Sequence, residues 1–226
     1  MKFTFLGHAC FTIESNGTTL LFDPFISGNP KASGINIADV KCDYILITHG
    51  HGDHIADAVA IAQANDATCV SSFEIIQWLG NQGVDKGHPM NLGGKWKFDF
   101  GTVKMVNASH SSSFPDGAYA GPASGFILEW DDKTLYFAGD TALMADMKRW
   151  GEHFDFDHVI LPVGDNFTMG FEDAALAAKW LKSQQAIGVH FDTFSYIEID
   201  HAAAVDAFAA NGVHLTLPEI GQVIEL

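Results

Sequence analysis

Tyr44-Ile45-Leu46-Ile47-Thr48-His49-Gly50-His51-Gly52-Asp53-His54 runs from an unbroken apolar segment straight into three histidines and an aspartate. A continuous apolar run of this kind is the mark of a strand buried on both faces. His49 and His51 are two residues apart, so in an extended segment both imidazoles leave the same side and can share one metal ion. Asp53 and His54 fall where a helix begins, within reach of a second ion. Gly50 and Gly52 permit the tight backbone that would bring both pairs together. The plain alternative, a loop of exposed and merely polar histidines, does not account for this spacing directly after a buried strand.

The rest of the chain supports a folded soluble protein. Its 226 residues can bury one sizeable core, with 47% hydrophobic, 18% charged and 12% aromatic residues. Twelve Lys and Arg against 28 Asp and Glu leave a formal charge of −16, a field that repels nucleic-acid backbones and anionic lipid surfaces. Three cysteines, Cys10, Cys42 and Cys69, form no Cys-x-x-Cys pair, so neither a disulfide framework nor a thiolate zinc site is indicated. They read as core residues. No signal-peptide core and no apolar run of about 20 residues is present, so a cytoplasmic protein without a membrane partner is expected. Either a monomer or a symmetric homo-oligomer is compatible with this composition.

Element by element, the first 23 residues read as a meander, Phe3–Leu6, Cys10–Glu14 and Thr18–Asp23, with a two-residue turn at Asn16-Gly17. Pro24 to Ala38 reads as a surface loop. A helix is expected over Ile55–Ala64 and a strand at Ala67–Val70. Ser71-Ser72-Phe73-Glu74 has the form of a capping box opening a further helix that stops near Gly80 to Gly83. In the second half, strands are expected at Lys95–Phe100, Val103–Ala108, Gly125–Trp130, Thr134–Ala138, His158–Val163, Ile187–His190, Val213–Leu217 and Gln222–Leu226. Helices are expected at Thr141–Trp150, Phe171–Leu181 and His201–Ala210. Each half runs strands first and helices later, which predicts an α/β chain of two mixed sheets face to face with helices outside, a four-layered αββα sandwich. No linker divides it, so residues 1–226 are expected to form a single domain.

One cluster cannot complete two metal shells. Three more ligand-type residues cap apolar runs: His110 after Val103–Ser109, Asp140 after Leu135–Gly139, and His190 after Ala186–Val189. Any one of them would ordinarily be a satisfied polar group. Three in this order behind a His-x-His-x-Asp-His cluster point to a shared site.

This set, together with Asp23 at the end of an early strand, resembles the five motifs of the metallo-β-lactamase-fold hydrolases. The resemblance spans nearly the whole chain. It implies His49, His51 and His110 on a first metal, Asp53, His54 and His190 on a second, Asp140 bridging them, and Asp23 supporting the site from behind. Gly7-His8-Ala9-Cys10-Phe11, Asp23-Pro24, Pro162–Gly170 and His190-Phe191-Asp192-Thr193-Phe194 are similar to the small uncharacterised metal-dependent hydrolase branch related to ascorbate-6-phosphate lactonases. That likeness brings no known substrate.

Imidazoles and carboxylates without thiolates suit Zn²⁺, Mn²⁺, Fe²⁺ or Ni²⁺, with zinc the default. Two such cations would lower the pKa of a shared water toward about 7, supply hydroxide at neutral pH and clamp the oxygen on which charge develops. Asp53 can hold that hydroxide and return its proton to the leaving group. The expected reaction is hydrolysis of an ester, lactone or phosphoester of a small metabolite. A nuclease of the same fold, a diiron redox protein and a non-catalytic metal-binding module are the competing readings. No basic patch favours the first, and the second typically carries a glutamate where His51 stands.

His8 is a candidate acid or hydrogen-bond donor in the pocket, equally well read as a buried, satisfied imidazole. Asn166 can present an amide to an oxyanion from the Pro162–Gly170 loop. Ser111-Ser112-Ser113 lacks the context of a nucleophile and reads as a pocket wall. His88, His153, His158, His201 and His214 default to surface or capping positions. Phe25, Phe114, Phe167 and Phe194 in the presumptive rim loops are either an apolar pocket or loop anchors.

Overall fold

The computed structural model describes residues 1–226, and the chain forms two compact units. The first comprises Met1–Leu92, Ser111–Ala123 and Glu219–Leu226; the second comprises Gly93–His110 and Ser124–Pro218.

The first unit opens with β1 (Lys2–Gly7), β2 (Cys10–Ser15), β3 (Thr18–Phe22) and β4 (Tyr44–Leu46). It continues with α1 (Gly52–Ile55), α2 (Ala58–Asn65), β5 (Thr68–Ser72), α3 (Phe73–Asn81) and β6 (Gly87–Met90). The hairpin between β2 and β3 turns on Asn16 and Gly17, both at positive φ, as the two-residue turn predicts. Phe3, Phe11 and Phe22 stack across the three strands at 4.8 and 4.5 Å between ring centroids. Leu21, Ile45 and Cys69 face the other way, onto Ile61 of α2 and Ile75 and Leu79 of α3. Alternate residues of one strand are thus buried on opposite faces, which is why β4 reads as continuously apolar.

The second unit holds β7 (Lys95–Lys97), β8 (Gly101–Asn107), β9 (Ser124–Trp130), β10 (Lys133–Phe137), α4 (Ala145–His153) and β11 (His158–Pro162). It then adds α5 (Phe171–Trp180), β12 (Gln185–Val189), α6 (His201–Ala210) and β13 (His214–Thr216), before β14 (Val223–Glu225) returns to the first unit. Tyr136, Val159, Leu161 and Ala186 pack against an alanine face of α5, Ala174, Ala175, Ala177 and Ala178, and against Ala204 and Phe208 of α6. The small side chains let helix backbones approach closely. A Cβ added at Gly151 of α4 would lie 2.2 Å from the Trp180 carbonyl oxygen, so that position admits only glycine.

The two seven-stranded sheets share one pairing scheme. In β14-β1-β2-β3-β4-β5-β6 the first three pairings are antiparallel and the last three parallel. The order β7-β8-β9-β10-β11-β12-β13 repeats that pattern. No helix is long and apolar enough to cross a membrane.

Several local expectations shift. The helix expected over Ile55–Ala64 is two helices, because Asp57 leaves helical geometry and its carboxylate instead accepts from the backbone N–H of Ile26 and Ser27, at 2.6 and 2.9 Å. That bond draws the Pro24–Ala38 loop inward, and Ile26, Asn29 and Ala32 are buried rather than superficial. The cap of α3 is Ser72, which accepts from Ile75 N–H, one residue later than the Ser71–Glu74 box implies. Ser71 is diverted to the Ile47 carbonyl at 2.7 Å. The helix expected from Thr141 begins only at Ala145, since Thr141 is engaged elsewhere, as described below. Strand β6, carrying Pro89 at the sheet edge, has no counterpart in the sequence reading.

Candidate metal centre

Nearly every candidate residue follows the carboxyl end of a strand. His8 follows β1, Asp23 follows β3, and Thr48–His54 leads out of β4. In the second unit His110 lies three residues beyond β8, Asp140 three beyond β10, and His190 directly after β12. His8, Asp23 and His190 all adopt positive φ, at 59°, 40° and 56°. Such strained conformations in non-glycine residues concentrate at functional sites, where the surrounding structure enforces them.

Asp23 organises the cluster of donors in the first unit. It is fully buried; its Oδ1 accepts from the Thr48 N–H at 2.8 Å and its Oδ2 from the Thr48 hydroxyl at 2.7 Å. His54 Nδ1 also lies 2.8 Å from Oδ2. Burial pushes the Asp23 carboxyl above the usual carboxylate range, while His54 and Thr48 pull it back down. Because the Thr48 hydroxyl gives its proton to Asp23, it accepts from His49 Nδ1, 3.0 Å away. Both His49 and His54 therefore carry their proton on Nδ1 and keep the Nε2 lone pair for another partner, the tautomer that an outer carboxylate enforces on a metal-ligating histidine. Asp23, His49 and His54 each offer a donor atom within 4.8 Å of the others. His49 Nε2 also lies 3.0 Å from His51 Nδ1, close to the roughly 3.3 Å that two nitrogens bonded tetrahedrally to one ion would show.

Asp53 is the more open carboxylate, its side chain 31% exposed. Its Oδ2 stands 3.1 Å from Nε2 of the fully buried His8 and 3.9 Å from Nε2 of His54. His8 is held edge-on by Phe25 and His54 at 5.5 and 5.6 Å.

The serine run behaves as a wall. Ser112 Oγ accepts from Gly50 N–H at 3.2 Å, and Ser111 Oγ is 3.4 Å from His51 Nε2. Gly50 is required, since a Cβ there would come within 2.3 Å of the Ala120 Cβ. A Cβ at Gly52 would meet only Pro115 Cγ, at 4.0 Å, an ordinary contact, so packing there does not demand glycine.

The second unit holds a compact triad of its own. Asp140 Oδ2 is 3.1 Å from His190 Nε2 and 3.6 Å from His110 Nε2, so one carboxylate oxygen is the meeting point of two imidazole nitrogens. Thr141, next to Asp140, ties two neighbouring segments together: its hydroxyl accepts from Ser109 N–H at 2.9 Å beside His110, and its carbonyl accepts from Met169 N–H at 2.9 Å. The Pro162–Gly170 loop that carries Met169 also backs onto His190, whose carbonyl oxygen would be 2.1 Å from a Cβ at Gly164.

Within each unit the expected residues come together as described, and the donors fit a divalent cation. They are nitrogen and oxygen only, and the buried thiols of Cys42 and Cys69 are pushed up to about 12, with that of Cys10 higher still, so none is poised as a thiolate. Asn166 sits on an exposed turn with Asp165, both at positive φ. Phe25 and Phe114 are buried anchors, whereas Phe167 and Phe194 are exposed. His158 is half-buried at the start of β11 rather than superficial. The sequence reading assigns no role to Thr48 or Thr141, the residues that orient the donors; only their positions beside a ligand-type residue hint at it.

Residues 2–190 match the β-lactamase superfamily domain family. A UPF0173 metal-dependent hydrolase of Flavobacterium johnsoniae is 50% identical over the full length of both chains. Among solved structures, the metallo hydrolase Igni18 of Ignicoccus hospitalis is 32% identical with a TM-score of 0.89, covering 99% of this chain and 97% of that one. An isothiocyanate hydrolase from Delia radicum gut bacteria, at 22% identity, shares the fold with a TM-score of 0.81 over 100% and 99% of the two chains. With this fold, this donor chemistry and these relatives, the chain belongs to the β-lactamase superfamily, as one of its metal-dependent hydrolases.

Proposed function

We propose that the protein hydrolyses an ester, lactone or phosphoester of a small metabolite, using two divalent cations, with zinc the first choice. On the resemblance to the superfamily, His49, His51 and His110 would hold one ion, Asp53, His54 and His190 the other, and Asp140 both. The lactone option follows the likeness to ascorbate-6-phosphate lactonases. Cations bound there would acidify a water toward about 7 and offset negative charge on a substrate oxygen.

The observation that carries the reading is the relay His49 Nδ1 to Thr48 Oγ1 to Asp23, which leaves two Nε2 lone pairs fixed in direction at no further conformational cost. Asp53 is the group suited to proton transfer. It is open enough to meet a substrate, and its carboxylate can take a proton from the attacking water and release it to the departing oxygen. His8, against Asp53 Oδ2, keeps that carboxylate in one orientation and can share the proton. Asn166, on its exposed turn, supplies an amide N–H to the substrate oxygen. The formal charge of −16 weighs against a nuclease, since a polyanion would meet repulsion everywhere outside the cation site.

The test is turnover of p-nitrophenyl acetate, a γ-lactone and bis(p-nitrophenyl) phosphate by protein stripped of metal and reloaded with Zn²⁺, Mn²⁺, Fe²⁺ or Ni²⁺. Activity should require metal, vanish in Asp140→Ala, and fall by about 10² to 10⁴ in kcat with Asp53→Asn assayed at saturating metal. No turnover on any substrate, or full activity in Asp140→Ala, refutes the proposal.

A further inference from the structure

Phe167, Phe194 and Tyr196 are exposed by 51%, 36% and 73%, and all three belong to the loops that hold His190 in the second unit. Burying such rings in the core would be the ordinary outcome, and Phe25 and Phe114 of the other loops do just that. Phe167 and Tyr196 meet edge to face at 6.2 Å between centroids, a favourable aromatic geometry formed in the open.

These rings stand on stiff supports. Asp165 and Asn166, consecutive at φ 60° and 52°, make the kind of turn that Asp and Asn tolerate, and Asp165 N–H bonds the Met169 carbonyl at 3.1 Å. Phe167 is thereby fixed on a loop tied through Met169 to Thr141 and packed through Gly164 on His190. On the other side, Asp192 N–H bonds the Ile197 carbonyl at 2.8 Å, and its carboxylate accepts from Ile199 N–H at 3.0 Å and faces His201 Nε2 at 2.6 Å. Ile197 N–H in turn bonds the Phe194 carbonyl at 3.0 Å. Two loops on either side of His190, each held by its own backbone bonds, thus present the Phe167 and Tyr196 rings to water, which has a free-energy cost unless a ligand covers them.

We infer that Phe167 and Tyr196, with Phe194, form an apolar wall that selects substrates bearing an aromatic or branched apolar group next to the hydrolysed bond. This rests on the hydrolase reading above and narrows its substrate class. An acid product with a phenyl group should stack on the wall, whereas the same acid without it should gain nothing there.

The experiment titrates acetate and phenylacetate into Zn²⁺-loaded protein by calorimetry, comparing wild type with the double variant Phe167→Ala, Tyr196→Ala. The wild type should bind phenylacetate at least about tenfold more tightly than acetate, and the variant should bring that ratio within about twofold while its acetate affinity stays unchanged. Both residues are exposed, so the variant should fold. A wild-type ratio near one, or a preference that survives the double substitution, overturns the assignment. Failure of the hydrolase reading itself would show separately, as missing Zn²⁺ uptake or turnover measured before either acid is added.

Discussion

The hydroxyl of Thr48 donates to the buried carboxylate of Asp23 at 2.7 Å, and this one bond aligns His49 with His54. Replacing the threonine by valine keeps the shape and removes the relay. Thr48→Val should weaken Zn²⁺ binding by about 10- to 100-fold, as loss of an outer partner of a ligating histidine does, while Thr48→Ser restores most of it. Competition against a chromophoric chelator measures both. Equal affinity in the valine variant and wild type would show that the relay does not orient the histidines.

His158 begins β11 with its Nδ1 buried and without a hydrogen-bond partner. Burial and nearby Lys133 hold its pKa below the usual histidine value, against a smaller upward pull from Asp157. The unfolded chain therefore takes up a proton near pH 6.5, before the folded one does. Stability should be unaffected by this group above that pH and fall as the pH drops from about 6.5 toward the lowered folded value. His158→Gln should flatten that part of the melting temperature against pH curve, measured by thermal scans from pH 7.5 to 5. Parallel curves for variant and wild type would assign the acid sensitivity elsewhere.

Gly151 marks a close helix contact in the second unit. In Gly151→Ala the new methyl would meet the Trp180 carbonyl and the Leu181 backbone, neither of which is a flexible side-chain end. Overpacking of this kind costs about 1 to 3 kcal/mol. Urea denaturation should show a lowered midpoint at unchanged slope. An unchanged midpoint would mean that α4 and α5 can separate without loss.

Much of the architecture was legible because it rests on neighbours along the chain. The Asn16-Gly17 turn, the apolar run of β4 and the helix over His201–Ala210 need only local sterics and propensity, and they appear where expected. The same holds for the spacing of His49, His51, Asp53 and His54. Local reading failed where a distant partner competed for the same group. Ser71 lost its capping role to the Ile47 carbonyl, and Asp57 left its helix for Ile26 and Ser27, 31 and 30 residues away. Strand β6 exists only because β5 offers an edge to Gly87–Met90, a stretch with no period of its own.

The chain order of residues alone determined which side chains could bind metal and that strands would deliver them, since strand periodicity and donor chemistry are properties of short segments. Only the folded sheets decided how those donors are aimed. Asp23 reaches Thr48 across 25 positions and His54 across 31, and Asp140, after β10, meets His190, after β12, past the intervening strand β11. Directional hydrogen bonds between residues so far apart depend on sheet register and loop packing, which no local pattern encodes.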